Sequence, residues 1–328
     1  MGKSSAAKRP TRGVRDSITN YELQITNLKH FFQCFVFLCA LCSFAGNIFA
    51  QNSIETFSEI IERGNTEQKR DALYQIRNLE TESASRIAIP ALKDSSEIVR
   101  ATAAFSVIYL PKDEAFQVLL PLLTDKNEFV RRETAYALGK VRNPQAINYL
   151  IQVFQKDKSD EVKNVAVVAL GEIGDVSAVD FLTRILQKKP KKENAANDFL
   201  RRSAARAIGE IAQIIQTGKI EVVTPKDFLP DKFVLFTPPN FLYLSRNLPV
   251  FLNANNTLIQ TLQNNRESLN TRREAAFALG AIGEESAIPI LQANLNNQNY
   301  YLAEIVKESL RKIQFVQILR QNAEARTK

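Results

Sequence analysis

The sequence predicts an all-α fold: a right-handed α-solenoid of about seven two-helix repeats, with an irregular insertion in the fifth. Three observations lead there. A helical stripe of apolar and small residues recurs about every 31 residues. A second segment, marked by Ala and then Leu, follows most of these stripes. The whole chain has one His, three Cys, one Met and no Trp, and none of these residues occurs after residue 50. Neither a multi-His metal site nor a disulfide framework can therefore replace a packed core.

The stripe is clearest at Val162, Ala166, Ala169, Leu170 and Ile173. The same frame holds Leu200, Ala204, Ala207, Ile208 and Ile211, and Val130, Thr134, Ala137, Leu138 and Val141. Positions i, i+4, i+7, i+8 and i+11 share one face of a three-turn helix. Aligning on the fourth of these gives Ile76, Val107, Leu138, Leu170, Ile208, Leu279 and Leu310, spaced by 31, 31, 32, 38, 71 and 31 residues. Eight residues beyond stand Ala84, Ala115, Ala146, Ala178 and Ala287; four further stand Leu119, Leu150, Leu182 and Leu291. Each unit thus reads as a first helix, a turn often marked by Gly (Gly174, Gly283), a second helix and a short polar loop. No such pair buries its apolar face alone, so neighbours must stack.

The loops repeat as well. Asp94, Asp125 and Asp157 each lie five residues before a Val (Val99, Val130, Val162) and six before Arg100, Arg131 and Lys163. An Asp at that place accepts backbone N–H groups at a helix start and is expected to pair with the basic residue that follows. Recurrence in unit after unit makes the pair structural rather than catalytic.

Segments such as Val162-Lys-Asn-Val-Ala-Val-Val-Ala-Leu-Gly-Glu-Ile-Gly174 and Thr271-Arg-Arg-Glu-Ala-Ala-Phe-Ala-Leu-Gly-Ala-Ile-Gly283 resemble HEAT-like repeats. The similarity is closest to the short version associated with phycobilisome lyases and covers about residues 54–320. It implies a solenoid. Its first and last units, Gln68 to Leu92 and Leu302 to Ile313, are degenerate, as terminal repeats facing water usually are.

Residues 31–45 form an apolar run after Lys29, followed by the small-residue exits Ser43-x-Ala45 and Ile48-x-Ala50. This is the pattern of a secretory signal peptide over residues 28–50; a membrane anchor is the alternative. Residues 1–27 read as an artefactual or disordered extension. Residues 51–328 are then the solenoid. Residues 1–50 hold six Lys/Arg and two acids, and the rest hold 37 Lys/Arg and 33 acids, so the net +8 of the chain falls to +4. That near balance is weak support for nucleic-acid binding.

The repeat breaks twice. Extra residues around Gln187 to Lys192 include four Lys and read as a solvated loop. The larger break, residues 217–250, holds Pro225, Pro230, Pro238, Pro239 and Pro249, which no three-turn helix survives. Leu258, Ile259 and Leu262 then mark a delayed second helix of unit five. The insertion carries Phe228, Phe233, Phe236, Phe241 and Tyr243, which either cover the solenoid or meet a partner.

These features point to a non-catalytic scaffold or adaptor of the bacterial cell envelope, periplasmic or secreted. It binds another protein or peptide on the concave face, on the insertion, or on both. No cofactor, metal or catalytic residue is expected. The resemblance supplies one alternative, a bilin-lyase-like enzyme; a di-iron hydroxylase, which such repeats also form, needs His residues that are absent after residue 50. Another alternative is a binder of an anionic polymer or nucleic acid, with Arg131, Arg132, Lys163, Arg201, Arg202, Arg272 and Arg273 as a basic ladder.

Overall fold

The computed structural model describes residues 55–188, 195–218 and 244–327. The leader and the five insertion aromatics Phe228, Phe233, Phe236, Phe241 and Tyr243 lie outside them. So do most of the Lys-rich loop and the rest of residues 219–243. Among the described residues every regular element is helical. No described helix is long and apolar enough to cross a membrane.

A short helix α1 covers residues 55–63. Six helix pairs follow within one compact unit, Glu59–Lys328. They are α2 (Thr66–Asn78) with α3 (Glu82–Ala88), α4 (Glu97–Ser106) with α5 (Lys112–Leu119), and α6 (Glu128–Val141) with α7 (Ile147–Lys156). Next come α8 (Asp160–Ile173) with α9 (Val179–Gln187), and α10 (Ala195–Thr217), whose partner is delayed. After the four-residue α11 (Leu244–Asn247), that partner arrives as α12 (Val250–Gln263). The sixth pair is α13 (Leu269–Ile282) with α14 (Ile288–Ala293), and α15 (Tyr300–Thr327) closes the stack as one long helix.

The boundaries follow from local chemistry. Asn65, Thr81, Asn127, Ser159 and Ser268 each cap a helix by accepting a backbone N–H through the side chain. Pro90 and Pro121 end α3 and α5 by turning the chain into short 3₁₀ segments. Gly174 and Gly283 leave α8 and α13 at φ of 78° and 79°, the left-handed conformation that favours Gly. The equivalent residue of unit three is Arg142, which takes φ 55° without that freedom. In unit seven the equivalent is Gln314, and α15 runs straight through it; seven first helices are present, the seventh unpaired among the described residues.

The aligned positions make the core. Ile76, Val107, Leu138, Leu170, Ile208 and Leu279 are fully buried, as are all five marker Ala and all four marker Leu. Leu258 and Leu262 of α12 are equally buried, against α9 and α13, which fixes α12 as the second helix of unit five. The long helices α2, α4, α6, α8, α10, α13 and α15 pack each against the next in one row. The short helices pack mostly on the long row and less on one another. The long helices thus form one row and the short helices lie along one side of it; the other side of the long row is the inner face.

Candidate partner-binding face

Three lanes of side chains recur along the side of the long row away from the short helices, exposed or part-exposed in units one to four and in part buried beyond, at Glu210, Phe277, Ala281 and Glu308. Two residues before each aligned position stand Tyr74, Phe105, Tyr136, Val168, Arg206, Phe277 and Glu308. Nine residues before it, in the first turns, stand Glu67, Ile98, Phe129, Glu161, Phe199, Asn270 and Tyr301. Two residues after it stand Tyr109, Lys140, Glu172, Glu210, Ala281 and Lys312. The lanes arise because residues three or four apart share a helix face and the repeat aligns those faces.

In units one to three the central lane is aromatic. Phe105 and Tyr136 stack with centroids 5.3 Å apart and an interplanar angle of 10°. The Arg77 guanidinium carbon sits 4.9 Å from the Tyr74 centroid and 5.1 Å from that of Phe105. Lys140 Nζ lies 4.9 Å from the Tyr136 centroid. Tyr74 is 51% exposed and Ile98 41%.

From unit four the same face turns to charge. Glu172 receives Lys140 at 2.6 Å, Arg206 bonds Glu210 at 2.7 Å, and its other end lies 3.6 Å from Glu274. Burial pushes the Glu210 carboxyl up; Arg206 opposes this, and Glu172 and Glu274 add to it. Burial also raises Glu308 and lowers Lys312, each opposed by the other's charge. Among the described residues no group of His, Cys, Asp and Glu side chains is arranged to hold a metal ion.

The loop aspartates do accept backbone N–H groups as the sequence implies. Asp94, Asp125 and Asp157 take those of Ser96, Asn127 and Ser159 at 2.8, 2.8 and 2.9 Å. Their pairing with the basic residue is corrected. Arg100 gives its Nε and Nη2 to Asp125 of the next unit at 2.8 and 3.0 Å, and its Nη1 to the Asp94 carbonyl at 2.8 Å. Arg131 repeats this on Asp157, at 2.7 and 2.9 Å, and on the Asp125 carbonyl at 2.9 Å. Lys69 reaches Asp94 at 2.8 Å. Arg201 holds Glu267, at 2.8 and 2.6 Å, across the insertion. Arg272 ends on Asn294 at 3.1 Å. Lys163 turns back to Asp160 instead, at 3.3 Å. Each arginine is thus a clasp between consecutive units. The planar fork explains the choice: one edge satisfies the carbonyls of its own loop and the other the carboxylate beyond.

The remaining members of the basic ladder are engaged too. Arg132 meets Glu133 at 2.9 Å and Glu161 at 3.5 Å, Arg273 meets Glu274 at 3.4 Å, and Arg202 covers the Phe199 ring at 4.7 Å. Arg131, Arg132, Lys163, Arg201 and Arg273 of the ladder thus face carboxylates of the chain itself, whereas Arg202 and Arg272 face a ring and an amide.

Row, clasps and inner face define an α-solenoid of stacked helix pairs. Its repeats are of the HEAT type: the model of HEAT repeats matches residues 85–170, and that of the PBS lyase HEAT-like repeat matches residues 271–297. No curated protein matches the chain in sequence. Solved structures similar to it include human deoxyhypusine hydroxylase in complex with glycerol (17% identity, 82% of this chain and 99% of that one, TM-score 0.35). Another is the complex of CpcE and CpcF of phycocyanin lyase from Nostoc sp. PCC7120 (19%, 82% and 94%, TM-score 0.42). A third is a designed armadillo repeat protein in complex with the peptide (KR)4 (14%, 79% and 98%, TM-score 0.37). Likeness at this level says nothing of chemistry or partner.

Proposed function

We propose that the chain is a non-catalytic interaction scaffold that holds a partner protein or peptide on the inner face of its long-helix row. One observation carries the reading: the lanes that place Tyr74, Phe105 and Tyr136 in line, flanked by Ile98 and Phe129. Rings and aliphatic side chains left part-exposed at equivalent positions of successive repeats are what a solenoid offers an extended partner. The apolar run and small-residue exits of residues 28–50 support a place in the bacterial envelope.

Photo-crosslinking in the native cell tests the reading. A crosslinking residue at Val168, on the inner face, is expected to trap a partner, whereas one at Gln117 or Asn148, exposed on the short helices, is not. Adducts formed only from the short-helix side would overturn it. Intact mass and fractionation of the native protein test the location: retention of residues 31–50 in a cytoplasmic species would remove the envelope from the proposal.

A further inference from the structure

We infer that the inner face of units one to three docks an acidic, extended peptide segment of a partner protein, with Arg70 and Arg77 receiving its carboxylate and the aromatic lane receiving its apolar side chains. The inference rests on the inner-face reading above and names the partner chemistry.

It begins with an exchange of residue type. One residue after the aligned position, units three to six carry Gly139, Gly171, Gly209 and Gly280, and the neighbouring helix fills the space. Unit one carries Arg77 there, and unit two Ile108. The Arg77 guanidinium bridges α2 and α4, its carbon over the Tyr74 ring of one at 4.9 Å and over the Phe105 ring of the other at 5.1 Å. A guanidinium held against rings keeps N–H donors that the rings do not satisfy as a carboxylate would.

Those donors have no carboxylate. Arg86, Arg100, Arg131 and Arg201 each hold one at 2.8 Å or less. Among the described residues none comes within 4.0 Å of Arg77 or Arg70, although Glu67, Asp71 and Glu80 are near in sequence. Arg70, Tyr74 and Arg77 lie at i, i+4 and i+7, on one face. An arginine already ordered by two rings loses little conformational freedom on binding an anion.

The ring lane decides the kind of anion. A free ion would use the arginines and leave Phe105, Phe129 and Tyr136 unused. A nucleic acid would need cations along the whole face, and those of units three to six are engaged within the chain. Neighbouring helices stand about 8–10 Å apart and an extended chain advances about 3.3 Å per residue, so about three peptide residues cross each repeat. An acid over unit one, followed by apolar residues at that spacing over units two and three, matches the lanes.

The chain contains no Trp, so a Trp-bearing probe reports its own fluorescence. The probe is a synthetic peptide of about nine residues with Glu near its start and Leu and one Trp about three and six residues on, the rest Ser and Gly; its counterpart carries Lys for Glu, and a single-stranded oligonucleotide is the third ligand. The intact chain is expected to bind the acidic peptide, more weakly as salt rises. R77Q and Y74A should each lower the affinity about tenfold with helix content unchanged, and R77K should not rescue it, because Lys lacks the planar fork. An acidic peptide that fails to bind, that ignores R77Q, or that is outcompeted by the oligonucleotide overturns the inference. Tighter binding of the Lys peptide, lost in Y74A, overturns the acidic assignment while leaving the inner face as the docking surface. Crosslinks confined to the short helices overturn the underlying reading whatever the peptides do.

Discussion

The two halves of the inner row solve one packing problem differently. In the half from α6 to α15, glycine lets the next helix approach to backbone contact. A Cβ on Gly171 would stand 2.8 Å from Ala207 Cα, and one on Gly280 would stand 2.7 Å from Ser309 Cα. In the open half, α2 and α4, Arg77 and Ile108 hold that place with side chains instead of a gap. The close half closes its face with carboxylates that lean onto the glycines: Glu172 Oε2 would lie 2.8 Å from a Cβ on Gly139, and Glu210 Oε2 2.8 Å from one on Gly171. The open half presents rings instead, and α6 joins the two, carrying Gly139 beside Tyr136, which stacks on Phe105 of α4. Glycine at this place therefore goes with a charged surface at Glu172 and Glu210, and a larger residue with rings left to offer.

The sharpest way to break this contrast is to remove a glycine. Gly280→Leu forces a side chain into Ser309 backbone and is expected to cost about 3 kcal/mol, whereas Arg77→Ala in the open half should cost about 1 kcal/mol or less. Urea unfolding of the two variants measures the difference. Equal losses would mean the halves are packed alike.

The clasps come next in size. Asp125→Asn breaks the part-buried bidentate pair with Arg100 and is expected to cost about 2–3 kcal/mol at neutral pH, and Asp94→Asn, which faces a single Lys69 contact, about 1 kcal/mol. Burial pushes the Asp125 carboxyl up, but Arg100 and the Asn127 N–H outweigh it and hold the group below the usual carboxylate range. A lowered folded value means the stabilisation is full above the unfolded value of about 4 and fades as pH falls through the folded one. The penalty of Asp125→Asn should shrink in acid accordingly.

Glu210 carries the opposite sign. Its folded value is raised, so its favourable contribution is full below the unfolded value and is lost as pH rises through the folded one. Glu210→Gln is expected to be neutral or to stabilise by about 1 kcal/mol near neutrality, with the gain growing as pH rises. Unfolding midpoints of wild type and variant across pH would show the curves diverging upward; divergence toward acid would contradict the assignment.

The smallest expected effect is at the turn of unit three. Arg142→Gly supplies the freedom already present at Gly174 and Gly283 and should gain about 0.5–1 kcal/mol. A loss would mean that contacts of the Arg142 side chain outweigh its backbone strain.

What the sequence could and could not show has a physical basis. Helix faces were legible because burial repeats with the helix: the aligned positions, the marker Ala and the marker Leu all reached the core. The delayed helix α12 was legible because prolines exclude its alternatives. The clasp register was not. With a period near 31 residues, an Asp six residues before Arg100 and one 25 residues after it occupy equivalent places in the pattern, and only the geometry of the fork selects the second. The Tyr74, Phe105 and Tyr136 lane was within reach, since all three stand two residues before an aligned position. Core positions recur in every unit and so stand out in the pattern, whereas consecutive rings occupy the lane in only three.

The clasps also make each unit a condition of its neighbour. Arg100 stands 25 residues before its carboxylate, and Arg201 stands 66 before Glu267. A unit cut from the stack would keep its guanidinium and lose the carboxylate that answers it, so a truncation at any loop exposes an unanswered charge as well as an apolar face. The longest reach falls at the fifth unit, where the clasp holds together what the insertion separates.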